Sequence, residues 1–454
     1  MSWIKTMNKI QENTLTAGFE WIDGIPEGWQ RRIIKRDFEV VLGKMLQSNQ
    51  TNEAETEESY LRSANIKWEG VDTSDIKTMW FSPEEKERLR LKYGDLLVSE
   101  GGDAGRTSIW RNELETCYIQ NAINRIRAQQ DDSTSYLFYW LYLLKSIGCI
   151  DAVVSRITIA HLTAEKLARI VFLKPPKIEQ DRIAAYLDKT CAAIDTAIDK
   201  KQKQLETLDA LRKSIIHKAV TRGLDDSGEL KDSGVEWIER VPIKWQSFRI
   251  KDVAQLSPRF SNGKPGLKEL CAIIPMEAVS EQGKIDISSI EEFDFITTGL
   301  TNFEVGDVIF AKITPCMENG KGAYVKALPT RYAFGSTEFH VLRPGFRVNG
   351  KFLYYYTYNS FFRDYAEVNM TGAAGQKRVS SRFLNYSRIY LPSISEQKQI
   401  VEYLDSKIDM LHVLQENLSN QIFALEQYRK SLIHECVTGK RRITEGDMQR
   451  VQQY

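Results

Sequence analysis

The sequence predicts an α/β (α+β) protein of two globular domains, each followed by a long helix, with the two helices pairing as an antiparallel coiled coil. Three observations predict this: a tandem duplication at an offset of 216–217 residues, a heptad stripe in each copy, and short β-branched and aromatic runs punctuated by Gly and Pro ahead of each stripe. At 454 residues the chain exceeds what one hydrophobic core usually organises, so more than one domain is expected.

The duplication rests on three collinear matches. Gly18, Glu20, Trp21, Ile22, Pro26, Trp29, Gln30, Ile34 and Lys35 return 216 positions later as Gly234, Glu236, Trp237, Ile238, Pro242, Trp245, Gln246, Ile250 and Lys251. Glu179-Gln180, Ile183 and Tyr186-Leu187-Asp188 return after 217 positions as Glu396-Gln397, Ile400 and Tyr403-Leu404-Asp405. Arg212-Lys213-Ser214 and His217 return as Arg429-Lys430-Ser431 and His434. Between these ends the copies diverge, although each keeps a Gly-Asp before an apolar run, at Gly94-Asp95 and Gly306-Asp307. One scaffold carrying two different readouts is the expectation.

The boundaries follow from changes in pattern. Residues 1–176 and 237–393 are the globular domains, with strands expected at 307–312, 323–326 and 339–342 and helical stretches at 135–147 and 351–364. Helices are expected over 177–221 and 394–440, joined by a polar linker at 222–236, with a polar, mobile tail at 441–454. The seam consists of Ile183, Leu187, Ile194, Leu205, Leu208 and Ile215 in the first helix. In the second it consists of Ile400, Leu404, Leu411, Leu418, Ile422, Leu425 and Leu432. A long helix with one apolar stripe needs a partner, and the other copy's helix is the nearest one. Heptads leave parallel and antiparallel pairing open; a local twofold between the copies makes it antiparallel.

Composition narrows the function classes only slightly. The net charge of +1 does not itself call for nucleic acid. Counted by domain, residues 237–393 carry +5 and residues 1–176 carry −2, so a phosphate-contacting surface is expected in the second domain. Neither an apolar run long enough to span a membrane nor a secretory leader is read, and a cytoplasmic protein is expected. The cysteines at 117, 149, 191, 271, 316 and 436 lack metal-ligand spacing and read as reduced thiols. No phosphate-binding G-x-x-x-x-G-K-[ST] and no Asn/Asp-Pro-Pro-aromatic tetrapeptide occurs, so catalysis is not expected. Glu84-Glu85-Lys86 resembles a nuclease E-x-K but sits in a charged helical stretch, and the Glu53–Glu58 cluster reads as a solvated loop.

The segment Asp232-Ser233-Gly234-Val235-Glu236-Trp237-Ile238 with Pro242 and Trp245, and the run from Arg388 through Glu396-Gln397 to Tyr403-Leu404-Asp405, resemble the specificity subunits of type I restriction-modification enzymes. The resemblance covers nearly the whole chain. It implies two target-recognition domains, each reading half of a split double-stranded DNA sequence, with the helices as a ruler. It further implies docking of two N6-adenine methyltransferase subunits and of restriction-translocase subunits. S-adenosylmethionine and ATP would then sit on those partners, and this chain would bind no cofactor.

Base readout calls for Arg or Lys toward guanine and Asn or Gln toward adenine, on loops that enter a groove. The candidates are Arg106, Thr107, Asn121 and Arg125 in the first copy. In the second they are Arg259, Asn262, Lys264, Lys312, Asn319, Lys321, Gln376, Lys377 and Arg378. Residues 371–378 also resemble a Gly- and Gln-rich segment of that family, whereas 151–161 in the first copy lack the signature. The repeated tryptophans read as packed structural groups, and His217 and His434 as satisfied interface histidines. The competing function is a coiled-coil scaffold joining partners other than DNA.

Overall fold

A computed structural model describes residues 24–154, 161–287, 289–296, 299–373 and 375–452; Trp21 and residues 155–160 lie outside that set. The chain divides into two compact units, and the first is discontinuous. One unit holds Met1–Lys201 with Asn420–Tyr454, and the other holds Gln202–Ser419. Each therefore contains one globular domain and part of both long helices. No helix among the described residues is long and apolar enough to cross a membrane.

In the first unit an antiparallel sheet orders the strands Phe38–Leu42, Ile123–Ala128, Leu96–Ser99 and Thr107–Ile109. The second unit repeats that order with Ala254–Leu256, Phe339–Pro344, Val308–Ala311 and Gly322–Tyr324. The central strands read as continuous apolar runs because both faces are covered: Leu96–Ser99 and Val308–Ala311 are buried at every position. A smaller sheet accompanies each, built from Lys77–Phe81, Thr56–Leu61 and Tyr118–Ile119 in the first unit. In the second unit it is Ser289–Glu292, Leu270–Ile274, Tyr332–Gly335 and Thr301–Phe303. A two-stranded clasp closes each domain, Gln30–Ile33 on Val171–Lys174 and Gln246–Arg249 on Arg388–Leu391.

The helix Thr134–Ser146 starts where the Ser133 hydroxyl accepts from the amide of Tyr136. It buries Tyr136, Leu137, Trp140 and Leu144 in the core that also holds Phe38, Leu96 and Phe172. The stretch expected as one helix over 351–364 is two, Gly350–Tyr358 and Ser360–Val368. Asn359 divides them, because its side-chain oxygen accepts from Phe361 N at 3.1 Å and caps a new helix.

The long helices are Lys177–Arg222 and Ile394–Val437, of 46 and 44 residues, each about 65–70 Å at 1.5 Å per residue. In the first unit Arg429 pairs with Asp195, and Lys201 donates to Gln421 Oε1 at 2.5 Å. Ascending one helix while descending the other makes that pairing antiparallel. Ile183, Leu187, Ile194 and Leu432 are buried there, and Ile422 and Leu425 are half-buried against the same core. In the second unit Ile400, Leu404 and Leu411 are buried, while Leu205, Leu208, Ile215 and Leu418 are half-buried.

Both connections carry structure, and the expectation of a mobile tail is corrected. The linker is largely folded, with Leu230–Val235 pairing against Ile238–Pro242. The tail is not loose: Glu445–Gln452 is a helix whose Met448 and Val451 pack on the first unit's core. A Cβ on Gly439, whose φ is +74°, would lie 2.3 Å from Pro26 Cγ, so the turn into this tail needs glycine. Arg442 then reaches Glu179 at 2.6 Å.

Candidate nucleic-acid interface

In the second domain two segments meet at the end of the strand Val308–Ala311. The amide of Val379 donates to Lys312 O at 2.8 Å, and Thr314 N donates to Lys377 O at 3.1 Å. Within the second segment Thr371 and Arg378 exchange both backbone bonds, at 2.9 and 3.0 Å. The turn between them requires Gly372, whose φ is +128° and whose added Cβ would lie 2.8 Å from Gln376 O.

Three side chains lock this arrangement. His340, almost wholly buried, lies 2.8 Å through Nε2 from Val379 O, which makes that nitrogen the donor. Burial pushes its pKa down to about 4, so the ring is neutral at ordinary pH. Glu338 accepts from Arg378 Nε and Nη2 at 2.8–3.1 Å, and this hydrogen bonding holds its carboxyl below the usual range. Arg363, buried in the helix Ser360–Val368, donates to Met317 O at 2.6 Å and so holds the 312–321 loop; burial lowers its pKa to about 10.

The sequence candidates fall into distinct groups. Asn319, Gln376 and Lys377 are exposed, Lys312 is half-buried beside them, and Lys321 donates to Met276 O at 3.2 Å. These residues are brought together. Arg259, Asn262 and Lys264 are exposed on a separate loop. Ser261 there binds the Glu304 carboxylate, and Arg343 donates to Arg259 O while clasping Asp307 at 2.7 Å. Among the described residues no hydrogen bond links that loop to 312–321 or 371–379.

In the first domain the same joint recurs with other side chains. Leu162 N donates to Glu100 O at 2.8 Å, and Asn124 Nδ2 donates to Leu162 O at 2.9 Å. Asn124 thus stands where His340 stands, and Leu162 where Val379 does. Arg127 clasps Asp95 as Arg343 clasps Asp307. The expected counterpart of 371–378 falls largely on residues 155–160, outside the described residues.

Two first-domain candidates are corrected. Thr107 is fully buried, with its hydroxyl donating to Gly105 O at 3.0 Å. Arg125 is 1% exposed, donates to Arg88 O at 2.8 Å and pairs with Glu39 at 2.6 Å. Neither reaches a groove; both hold the domain together. Arg106 is half-buried and donates to Ser63 O at 3.0 Å, and Asn121 is half-buried with its backbone N–H on Lys44 O at 2.8 Å.

Other sequence features resolve into structure. Trp29 and Trp245 donate their indole N–H groups to Glu179 at 3.0 Å and Glu396 at 3.1 Å, tying each clasp to a long helix. Glu85 of the E-x-K lookalike caps its own helix at Ser82 and pairs with Lys44. Glu55 folds onto the amides of Thr51 and Asn52, which with Gln47 pull its pKa down to about 2. His217 bonds Asn359 at 3.2 Å, and burial lowers its pKa and that of His434. Glu338, His340, Arg343 and Arg363 escaped the sequence reading, and Asn124 fell inside the candidate segment 121–127 without its bond to Leu162 being foreseen. Only Arg343 left a trace there, repeating Arg127 at the 216-residue offset.

Comparison with known proteins agrees with this architecture. The sequence matches the type I restriction modification DNA specificity domain twice, over residues 26–207 and 242–424. The specificity subunit of the type I restriction enzyme EcoAI from Escherichia coli is 30% identical over 197 residues, 42% of this chain and 33% of that one. The matched stretch thus spans about a third of that relative's length. The MjaVIII specificity subunit of Methanocaldococcus jannaschii is 23% identical over 438 residues, 92% of this chain and 94% of that one. A chain from a structural study of complex assembly and conformational transition in the type I R-M system shares the fold, with a TM-score of 0.67 at 13% identity. It covers 91% of this chain and 98% of that one.

Proposed function

Because the chain belongs to the family of type I restriction modification DNA specificity domains, we propose that it is the sequence-reading, non-catalytic subunit of a type I restriction-modification enzyme. Each globular domain reads one half of a bipartite DNA target, and the long helices set the interval between the halves. The observation that carries this reading is one joint built twice, Asn124 on Leu162 and His340 on Val379, beneath loops whose sequences differ. In the second domain those loops expose Gln376, Lys377 and Asn319, side chains suited to base edges and phosphates. Two methyltransferase subunits and the restriction-translocase subunits are its partners, and S-adenosylmethionine and ATP bind to them. A scaffold for partners other than DNA accounts for paired helices but not for a duplicated joint under divergent loops.

The test is co-expression with the cognate methyltransferase subunit, followed by genome-wide mapping of N6-methyladenine against the methyltransferase alone. A split motif that appears only with this chain supports the reading. Co-purification with no new motif sinks it in favour of the scaffold.

A further inference from the structure

We propose that Arg378 and Glu338 form a positioning pair, which holds the 371–379 segment and the 312–321 loop as one surface and presents Gln376 and Lys377 to DNA. The proposal rests on the reading of the second domain as a DNA reader. Arg378 is the residue type that reads guanine, yet its Nε–Nη2 edge is committed to the Glu338 carboxylate and Nη1 donates to Gln376 O at 3.2 Å. Its charge is offset by that carboxylate, which weakens it as a phosphate contact.

Glu338 reaches both segments. Its side chain holds Arg378, and its backbone oxygen accepts from Lys312 N at 2.9 Å. Between them Gln376 and Lys377 are left exposed. Among the described residues the pair belongs to the second domain only. In the first, the carbonyl that accepts from the corresponding amide, Glu100 N, is that of Ala122, which has no side chain to offer an arginine. Losing the pair should therefore affect one half-site and leave the other as an internal check that the chain is folded and assembled.

The experiment is a double-mutant cycle with Arg378→Gln, Glu338→Gln and both together, in the full complex with its methyltransferase. Methylation rates are measured on the parent split site and on sites altered in either half. The parent chain must first yield a split motif; without one the DNA-reading function itself fails, which separates that failure from this one. The expected result is that each single change lowers discrimination at one half-site about tenfold, the double change is no worse than either, and discrimination at the other half is unaltered. If Glu338→Gln matches the parent while Arg378→Gln loses the half-site, Arg378 reads DNA directly and the positioning role is wrong. Parental behaviour of both single variants overturns the proposal as well.

Discussion

Tyr139 donates its hydroxyl to Asp188 at 2.7 Å, anchoring the first domain's helix to the first long helix, and Tyr355 does the same to Asp405 at 2.5 Å. The two anchors are not equal. Asp405 also takes Lys351 at 2.6 Å, whereas Ser135 occupies the corresponding place in the first domain. Tyr139→Phe should therefore cost about 1–2 kcal/mol and Tyr355→Phe about half that, because Asp405 keeps a partner. Urea unfolding of both variants checks the order; equal losses would remove the role given to Lys351.

His340 makes stability depend on pH. Burial sets its pKa near 4 against 6.5, so the unfolded chain binds a proton between those values that the folded form refuses. Its contribution is intact above about pH 6.5 and declines as pH falls toward 4, by about 3 kcal/mol in total. His340→Asn copies the first domain's Asn124, retains a donor for Val379 and should flatten that decline. Unfolding midpoints at pH 7 and pH 5, compared between parent and variant, provide the measurement.

Arg125→Met should lower stability by about 2 kcal/mol, since it removes a buried hydrogen bond and an ion pair. The preferred DNA sequence should not change. A shifted motif in a methylation map would return Arg125 to the set of readers.

Lys377→Ala should leave the unfolding midpoint in place and weaken DNA binding across sequences. The slope of log affinity against log salt should fall by about 1, as expected for one lost phosphate contact. A loss confined to one base substitution would instead make Lys377 a base reader.

Inserting or deleting seven residues in either long helix should change the interval between half-sites or block assembly, while both domains keep their folds. A methylation map gives the interval; parental spacing in such variants would end the ruler role.

The elements legible in the sequence are those whose signal is periodic or duplicated. The seam from Ile183 to Ile215 follows helical spacing, and Trp29 and Trp245 announce themselves by recurring at one offset. The reading joint is different in kind. Asn124 meets Leu162, and His340 meets Val379, at separations of 38 and 39 positions along the chain, and the two copies use different side chains for the same bond. Neither spacing nor repetition marks such a contact. Thr107 and Arg125 were misassigned for a related reason: their strands are covered on both faces, so polar residue type did not signal exposure.

The first unit cannot be completed until residues beyond Ser419 have been made. Its core includes Leu432, Ile433, Cys436 and Val437, whereas the second unit ends at Ser419. During synthesis from the N-terminus, the later domain therefore gains all its parts first, and the earlier one waits with apolar surface uncovered. Truncation within Asn420–Tyr454 removes from the first-made domain the segment that seals it. A ribosome stalling there would release a chain whose oldest part is the unfinished one.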